Sequence, residues 1–203
     1  MAHIPDGVLS APVLVTGAAV SVGLLALALR RLDDRHIPQA AVLSAAFFVS
    51  SLVTVPVGPS SVHLLLNGLM GLILGVTVVP ALAVALLLQA LMFGYGGVTV
   101  LGVNLMNLAL PALLCAFLLR PWLARVPPRR GWLPGAAAGA LGVLGTGALV
   151  AGSLALSGEA FVPAAGIIAI SMVPLAVVEA LISAVIVGFL LRVEPGLLRP
   201  EHM

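Results

Sequence analysis

Seven apolar runs divide this chain. Their approximate limits are 11–30, 38–56, 62–79, 81–94, 100–119, 132–156 and 163–191. A helix rises 1.5 Å per residue, so about 20 apolar residues cross about 30 Å of hydrocarbon. Most of the runs are near that length. The split between the third and fourth is drawn at Pro80. Proline removes an amide donor, and an unbroken run of about 32 residues is too long for one ordinary span. No run shows the apolar/polar alternation of a membrane β-barrel. Main-chain groups in lipid need partners within their own segment, which leaves helices. The expected fold is all-α: one polytopic domain over residues 1–203 with about seven transmembrane helices, preceded by a short segment, 1–10.

Composition agrees. The chain is 62% hydrophobic and 8% charged, with a mean hydropathy of +1.25. Soluble domains carry about 25% charged residues, so the bilayer is the expected solvent. The nine basic side chains are all arginine, and they cluster: Arg30, Arg31 and Arg35; Arg120, Arg125, Arg129 and Arg130; Arg192 and Arg199. With runs three and four as separate helices, every cluster falls on one side of the membrane. The positive-inside rule makes that side cytoplasmic, with the N-terminus outside and the C-terminus inside. No Lys or Arg precedes the first run, so the N-terminus is expected to be kept, apart from removal of Met1. Cys115, the single cysteine, lies in an apolar run and reads as a small hydrophobe.

This topology brings His3 and His63 to the same outer face. A histidine at position two or three of a free N-terminus can wrap a metal ion with the terminal amine, intervening amide nitrogens and its imidazole. The chelate rings are small, and tetragonal nitrogen sets suit Ni(II) or Cu(II). Zinc prefers a tetrahedral set. From spacing alone, a chance histidine explains the same pattern. His36 and His202 read as solvated side chains.

The start His3-Ile4-Pro5-Asp6-Gly7-Val8-Leu9-Ser10 resembles the N-terminal signature of the CbiM/NikM family. These are the substrate-capture subunits of energy-coupling-factor importers for nickel and cobalt. Ser61-Val62-His63-Leu64-Leu65-Leu66-Asn67-Gly68 is similar to the family's second signature, and Val177-Val178-Glu179-Ala180-Leu181-Ile182-Ser183 to a third. The resemblance covers essentially the whole chain. It implies a metal site built from the terminal amine, amide nitrogens, His3 and His63, with Ni(II) as transported substrate and Co(II) as the alternative. The chain departs from the pattern at Ala2, which separates Met1 from His3. The amine donor is therefore Ala2 if Met1 is removed and Met1 if it stays. The resemblance also implies partners: a membrane coupling subunit, ABC-type ATPase subunits and often a small accessory membrane protein. Nucleic acid is not among them.

The other polar residues each have more than one reading. Asp6 either shapes the Pro5-Asp6-Gly7 turn or supports the ligands. Glu179, in the last run, orients a histidine, accepts the terminal ammonium before metal arrives, or bridges helices. Asn67 stands four residues after His63, which on a helix places both on one face; packing is its other reading. Gln89, Asn104 and Asn107 read as packing amides, and the glycine-rich sixth run as a surface for close helix approach. The chain has no Gly-x-x-x-x-Gly-Lys-Ser/Thr phosphate loop and no lysine, so energy must come from other subunits. The remaining alternatives are a cobalt importer subunit serving cobalamin synthesis, an intramembrane enzyme and a non-catalytic membrane scaffold. The enzyme is weakened by the lack of a His-Glu-x-x-His pair.

Overall fold

The computed structural model describes residues 3–52, 54–57 and 60–198. Among these are helices α1 (Ala11–Leu29), α2 (Ile37–Ser50), α3 (Asn67–Leu74), α4 (Val78–Phe93), α5 (Leu101–Arg125), α6 (Trp132–Ala155) and α7 (Val162–Val193). Strands β1 (Thr54–Val57) and β2 (Ser60–His63) form an antiparallel hairpin in which Thr54 pairs with His63. Among the described residues, five segments are long and apolar enough to cross a membrane: Ala11–Leu29, Asn67–Phe93, Leu101–Arg125, Pro128–Ala155 and Glu159–Val193.

On α1, large side chains point outward and small ones face the bundle. On α1 the buried residues are Gly17, Ser21 and Ala28, while Val15 and Val22 are each 68% exposed. Lipid tails are as apolar as leucine, so burying leucine gives no advantage there. Helices associate instead by close backbone approach. A Cβ on Gly17 would strike Val103, one on Gly102 would lie 2.6 Å from the Ala18 Cα, and one on Gly139 would strike the Glu179 carbonyl. The Ser21 hydroxyl donates to the Gly102 carbonyl at 2.5 Å. The glycines of the sixth run thus pack α6 against α7 and α3, as their size allows.

Two sequence expectations shift. The second run ends as a helix at Ser50, and the chain continues into the hairpin. The third run is helical only from Asn67. His63 closes β2, and residues 64–66 are non-helical. The expected i+4 pairing of His63 with Asn67 on one helix face therefore does not exist. The helix break falls at Gly75–Thr77 instead of Pro80. Gly75 has φ +62°, and its missing Cβ makes room for the Arg120 guanidinium. Pro80 sits in the first turn of α4, where the lost N–H would have had no helical partner in any case.

The loops collect at two ends. At one end, residues 3–6, the end of the hairpin and Gly96 meet through an Asp6 N–H donation to the Gly96 carbonyl at 3.0 Å and a His3–His63 ring contact. Ile4, Leu9, Val100, Val103, Val150, Leu154 and Ala165 make the core beneath them. At the other end, Arg31, His36, Gly75, Arg120 and Gly196 line one cavity.

Candidate metal-capture site

The N-terminal segment is held in place by α5. Asn104 donates to the Ile4 carbonyl at 3.2 Å and accepts the Ile4 N–H at 3.1 Å. Its amide thus pairs with the main chain on both sides, much as a neighbouring strand would. Asp6 accepts from the Thr99 hydroxyl and from the Val100 N–H, the latter at 3.2 Å. Those groups lie just before α5, so Asp6 acts as a helix cap supplied from elsewhere in the chain. The approach needs glycine. Gly96 and Gly97 have φ +78° and +138°, and a Cβ on Gly97 would strike the Asp6 carboxylate.

His3 is thereby fixed beside His63. The rings are stacked with centroids 5.2 Å apart and planes inclined by 22°. His3 is 5% exposed and His63 is 3% exposed. The His63 Nδ1 lies 3.0 Å from the Leu64 carbonyl. A carbonyl accepts only, so this contact makes Nδ1 the protonated nitrogen and leaves the Nε2 lone pair free. Metal-bound histidines commonly donate their second nitrogen in this way. The His63 Nε2 and both His3 ring nitrogens are buried with no hydrogen-bond partner among the described residues. Such orphaned groups are rare in folded proteins and ask for a ligand.

Both rings lie outside the five apolar spans, and both are poor bases. Burial pushes the His3 pKa down to about 3, with the neighbouring His63 adding to the effect. Burial also lowers His63, and the Leu64 carbonyl opposes the shift. At neutral pH both imidazoles are neutral, the state that binds metal.

Glu179 stands on α7, 1% exposed. It touches neither ring. Its carboxylate accepts the Leu65 N–H and the Leu66 N–H, the latter at 3.0 and 3.1 Å. It grips the main chain just beyond His63, where Leu66 takes φ +50°. Asn67 donates to the Leu108 carbonyl at 3.0 Å and the Thr146 hydroxyl at 2.9 Å, joining α3, α5 and α6. His36 lies in the cavity at the opposite end. Met1, Ala2 and His202 lie outside the described residues. Among the described residues no cluster of three or more His, Cys, Asp or Glu side chains could hold a metal.

Sequence reasoning treated Asn104 as a packing amide and did not single out Thr99. The topology expected from the runs puts the Gly94–Val98 loop on the same outer face as the N-terminal segment, but no local signal pairs Gly96 and Gly97 with Asp6, some 90 positions away.

A buried imidazole pair at one end of an apolar helical bundle packed through glycines gives the chain the architecture of a polytopic membrane protein. A solved transition metal transporter shares the architecture, with a TM-score of 0.76, 25% identity and coverage of 95% of this chain and 94% of that one. The chain belongs to the CbiM family, described as the cobalt uptake substrate-specific transmembrane region, whose profile matches residues 3–197. It is a multi-pass prokaryotic membrane protein of nickel/cobalt transport. A protein of Haemophilus influenzae assigned to metal transport is 40% identical over 198 residues, 95% of each chain. The fused nickel transport protein NikMN of Rhodobacter capsulatus is 37% identical over 113 residues, 53% of this chain and 33% of that one.

Proposed function

We propose that this chain is the substrate-capture subunit of an energy-coupling-factor importer and takes Ni(II) at its outer face. The observation that carries this is the buried His3–His63 pair with three nitrogens free of any partner. Two imidazoles are too few donors for a tight site. The N-terminal amine, contributed by Met1 or Ala2, and the intervening amide nitrogens complete a nitrogen set. Such a set favours nickel over cobalt in the general order of divalent affinities. Cobalt remains the second reading, supported by the family's description.

In this reading the chain crosses the bilayer seven times, with the hairpin and residues 3–10 outside. The eight-residue α3 and the non-helical residues before it make the third, inward crossing, and α4 returns. The arginine-bearing end faces the cytoplasm by the positive-inside rule. A coupling membrane subunit and ABC-type ATPase subunits supply the energy, with a small accessory membrane protein among the partners. ATP turnover elsewhere in the complex shifts this subunit so that its metal faces inward. Within the subunit, Asn104 and Asp6 hold the N-terminal arm of the site, and Glu179 holds the His63 arm.

The test is nickel titration of purified protein whose N-terminal mass has been determined. One ion per chain is expected, with binding lost in both His3→Ala and His63→Ala. Unchanged binding in the two variants rejects the site. Acetylation of the N-terminus is expected to abolish the square-planar absorbance, and its survival removes the amine from the donor set. Tighter Co(II) than Ni(II) binding by the wild type selects the cobalt reading.

A further inference from the structure

We propose that the cavity at the Arg31–Arg120 end, with the apolar groove beside it, is a binding site for one anionic glycerophospholipid. The phosphate would occupy the cavity and an acyl chain the groove.

The cavity holds about 560 Å³ and is lined by Arg31, His36, Gln39 and Arg120, with no acidic side chain among its described lining residues. The Arg120 Nε and the Gln39 Nε2 are buried and have no partner among the described residues. Both are donors only, so the missing partner is an acceptor. The Arg120 guanidinium lies over Gly75, whose absent side chain leaves room for it. A guanidinium fork suits the two free oxygens of a phosphodiester. Basic pockets between helices at a cytoplasmic surface are the usual form of such headgroup sites.

The groove argues for a lipid over a free anion. It holds about 380 Å³ between α2 and α4, lined by residues including Ile37, Ala40, Ala41, Phe48 and Val84. Its polar lining residue, Ser44, already donates to the Ala81 carbonyl at 2.8 Å. Cavity and groove share a wall. In each neighbouring pair, Arg31–Leu32, His36–Ile37 and Gln39–Ala40, the first residue lines the cavity and the second lines the groove. From Ile37 to Phe48 the helix rises about 16 Å, close to half of a hydrocarbon core about 30 Å thick. A charged head pocket leading into an apolar slot one leaflet deep fits an amphiphile. This inference does not rest on the metal reading.

The experiment uses the delipidated full chain in detergent. Phosphatidylglycerol, phosphatidylcholine with the same acyl chains, and inorganic phosphate are titrated separately, read by native mass spectrometry and thermal shift. One phosphatidylglycerol per chain is expected, retained in preference to phosphatidylcholine. R31Q/R120Q is expected to weaken phosphatidylglycerol binding about thirtyfold, and R31Q alone, at an exposed position, about fivefold. A41W, which fills the groove, is expected to weaken the lipid and spare phosphate. The helical circular dichroism and the lipid-free melting temperature of each variant report its fold, and both are expected to stay at the wild-type value. Equal retention of the two lipids, or unchanged lipid binding in R31Q, overturns the proposal. So does phosphate competing fully with phosphatidylglycerol while A41W binds lipid normally, an outcome that assigns the cavity to a free anion.

Discussion

Glu179 offers a sharp test of how the bundle holds its site. The side chain is buried and accepts two main-chain amides, those of Leu65 and Leu66. Glu179→Ala leaves both without a partner. A buried donor stripped of its acceptor costs about 1–3 kcal/mol, so the pair costs about 2–6 kcal/mol. The carboxylate also restrains Leu66, whose φ of +50° carries a penalty for a residue with a side chain. Glu179→Gln keeps one carbonyl acceptor but turns an amide donor toward the same N–H groups. Its expected cost is about half that of alanine. For a chain of this size, 1 kcal/mol moves Tm by about 2–4 °C, so the alanine variant is expected to melt at least about 4 °C lower. Function should fall further than stability. The amides lie within three residues of His63, whose ring is anchored on the Leu64 carbonyl. Releasing them lets that ring shift, and loss of such outer supports weakens metal sites about 10–100-fold. Thermal melts and nickel titrations on wild type, Glu179→Gln and Glu179→Ala provide the measurement. A wild-type Tm together with wild-type nickel affinity in Glu179→Ala would refute the assigned role. A lowered Tm with unaltered affinity would leave Glu179 as a packing group alone.

Four further outcomes follow from the same geometry. Asn104→Ala unpairs both main-chain groups of Ile4 and is expected to weaken nickel binding at least about tenfold, read by titration. Gly68→Ala drives a Cβ into the Ala138 carbonyl and should destabilise by about 1–3 kcal/mol. Gly152→Ala, whose Cβ meets nothing within 4 Å, should stabilise by about 0.5–1 kcal/mol through helix propensity; equal signs in the two melts contradict the packing. With the His3 pKa lowered to about 3 in the fold, the unfolded chain binds the extra proton below its own value of about 6.5. Apo stability is therefore full above pH 6.5 and falls toward pH 3, by at most about 1.4 kcal/mol per unit from this residue; His3→Ala should flatten that slope in pH-dependent melts. Metal affinity should climb with pH below the amine's pKa of about 7.7–8. The slope of log K is about 2 if Ala2 is the terminus and about 3 if Met1 is, counting the amine and amide protons released; a slope near zero excludes both.

Much of the fold was legible in the apolar runs. Run limits placed α1, α5, α6 and α7 to within a few residues, apart from the longer C-terminal end of α5, because long apolar stretches between arginines leave a chain in lipid little choice but helix. The glycines of the sixth run announced a tight interface through size alone. The segment from Ser50 to Asn67 was misjudged. Its composition is apolar enough for helix, yet among the described residues it forms a hairpin and a non-helical stretch in which the Leu65 and Leu66 amides are met by Glu179, 114 and 113 positions later. Hydropathy reports where a residue is stable and carries no record of which distant acceptor satisfies its amide. Pro80 misplaced the helix break for a related reason. A proline is tolerated in a first turn, and the actual break needed the positive φ of Gly75 opposite an arginine that only the packed bundle brings there.

Alone, the residue order determined the solvent, the helical class, the arginine asymmetry and His3 and His63 as the donors worth watching. These follow from properties each residue carries with it: hydrophobicity, charge and imidazole chemistry. Tertiary structure decided that the two rings stack, which nitrogens are free, that Asn104 and Asp6 anchor the N-terminal segment, and that Glu179 acts on backbone instead of on a ring. Those facts depend on where one helix places its side chains against another, a relation set by three-dimensional packing and absent from any local stretch of chain.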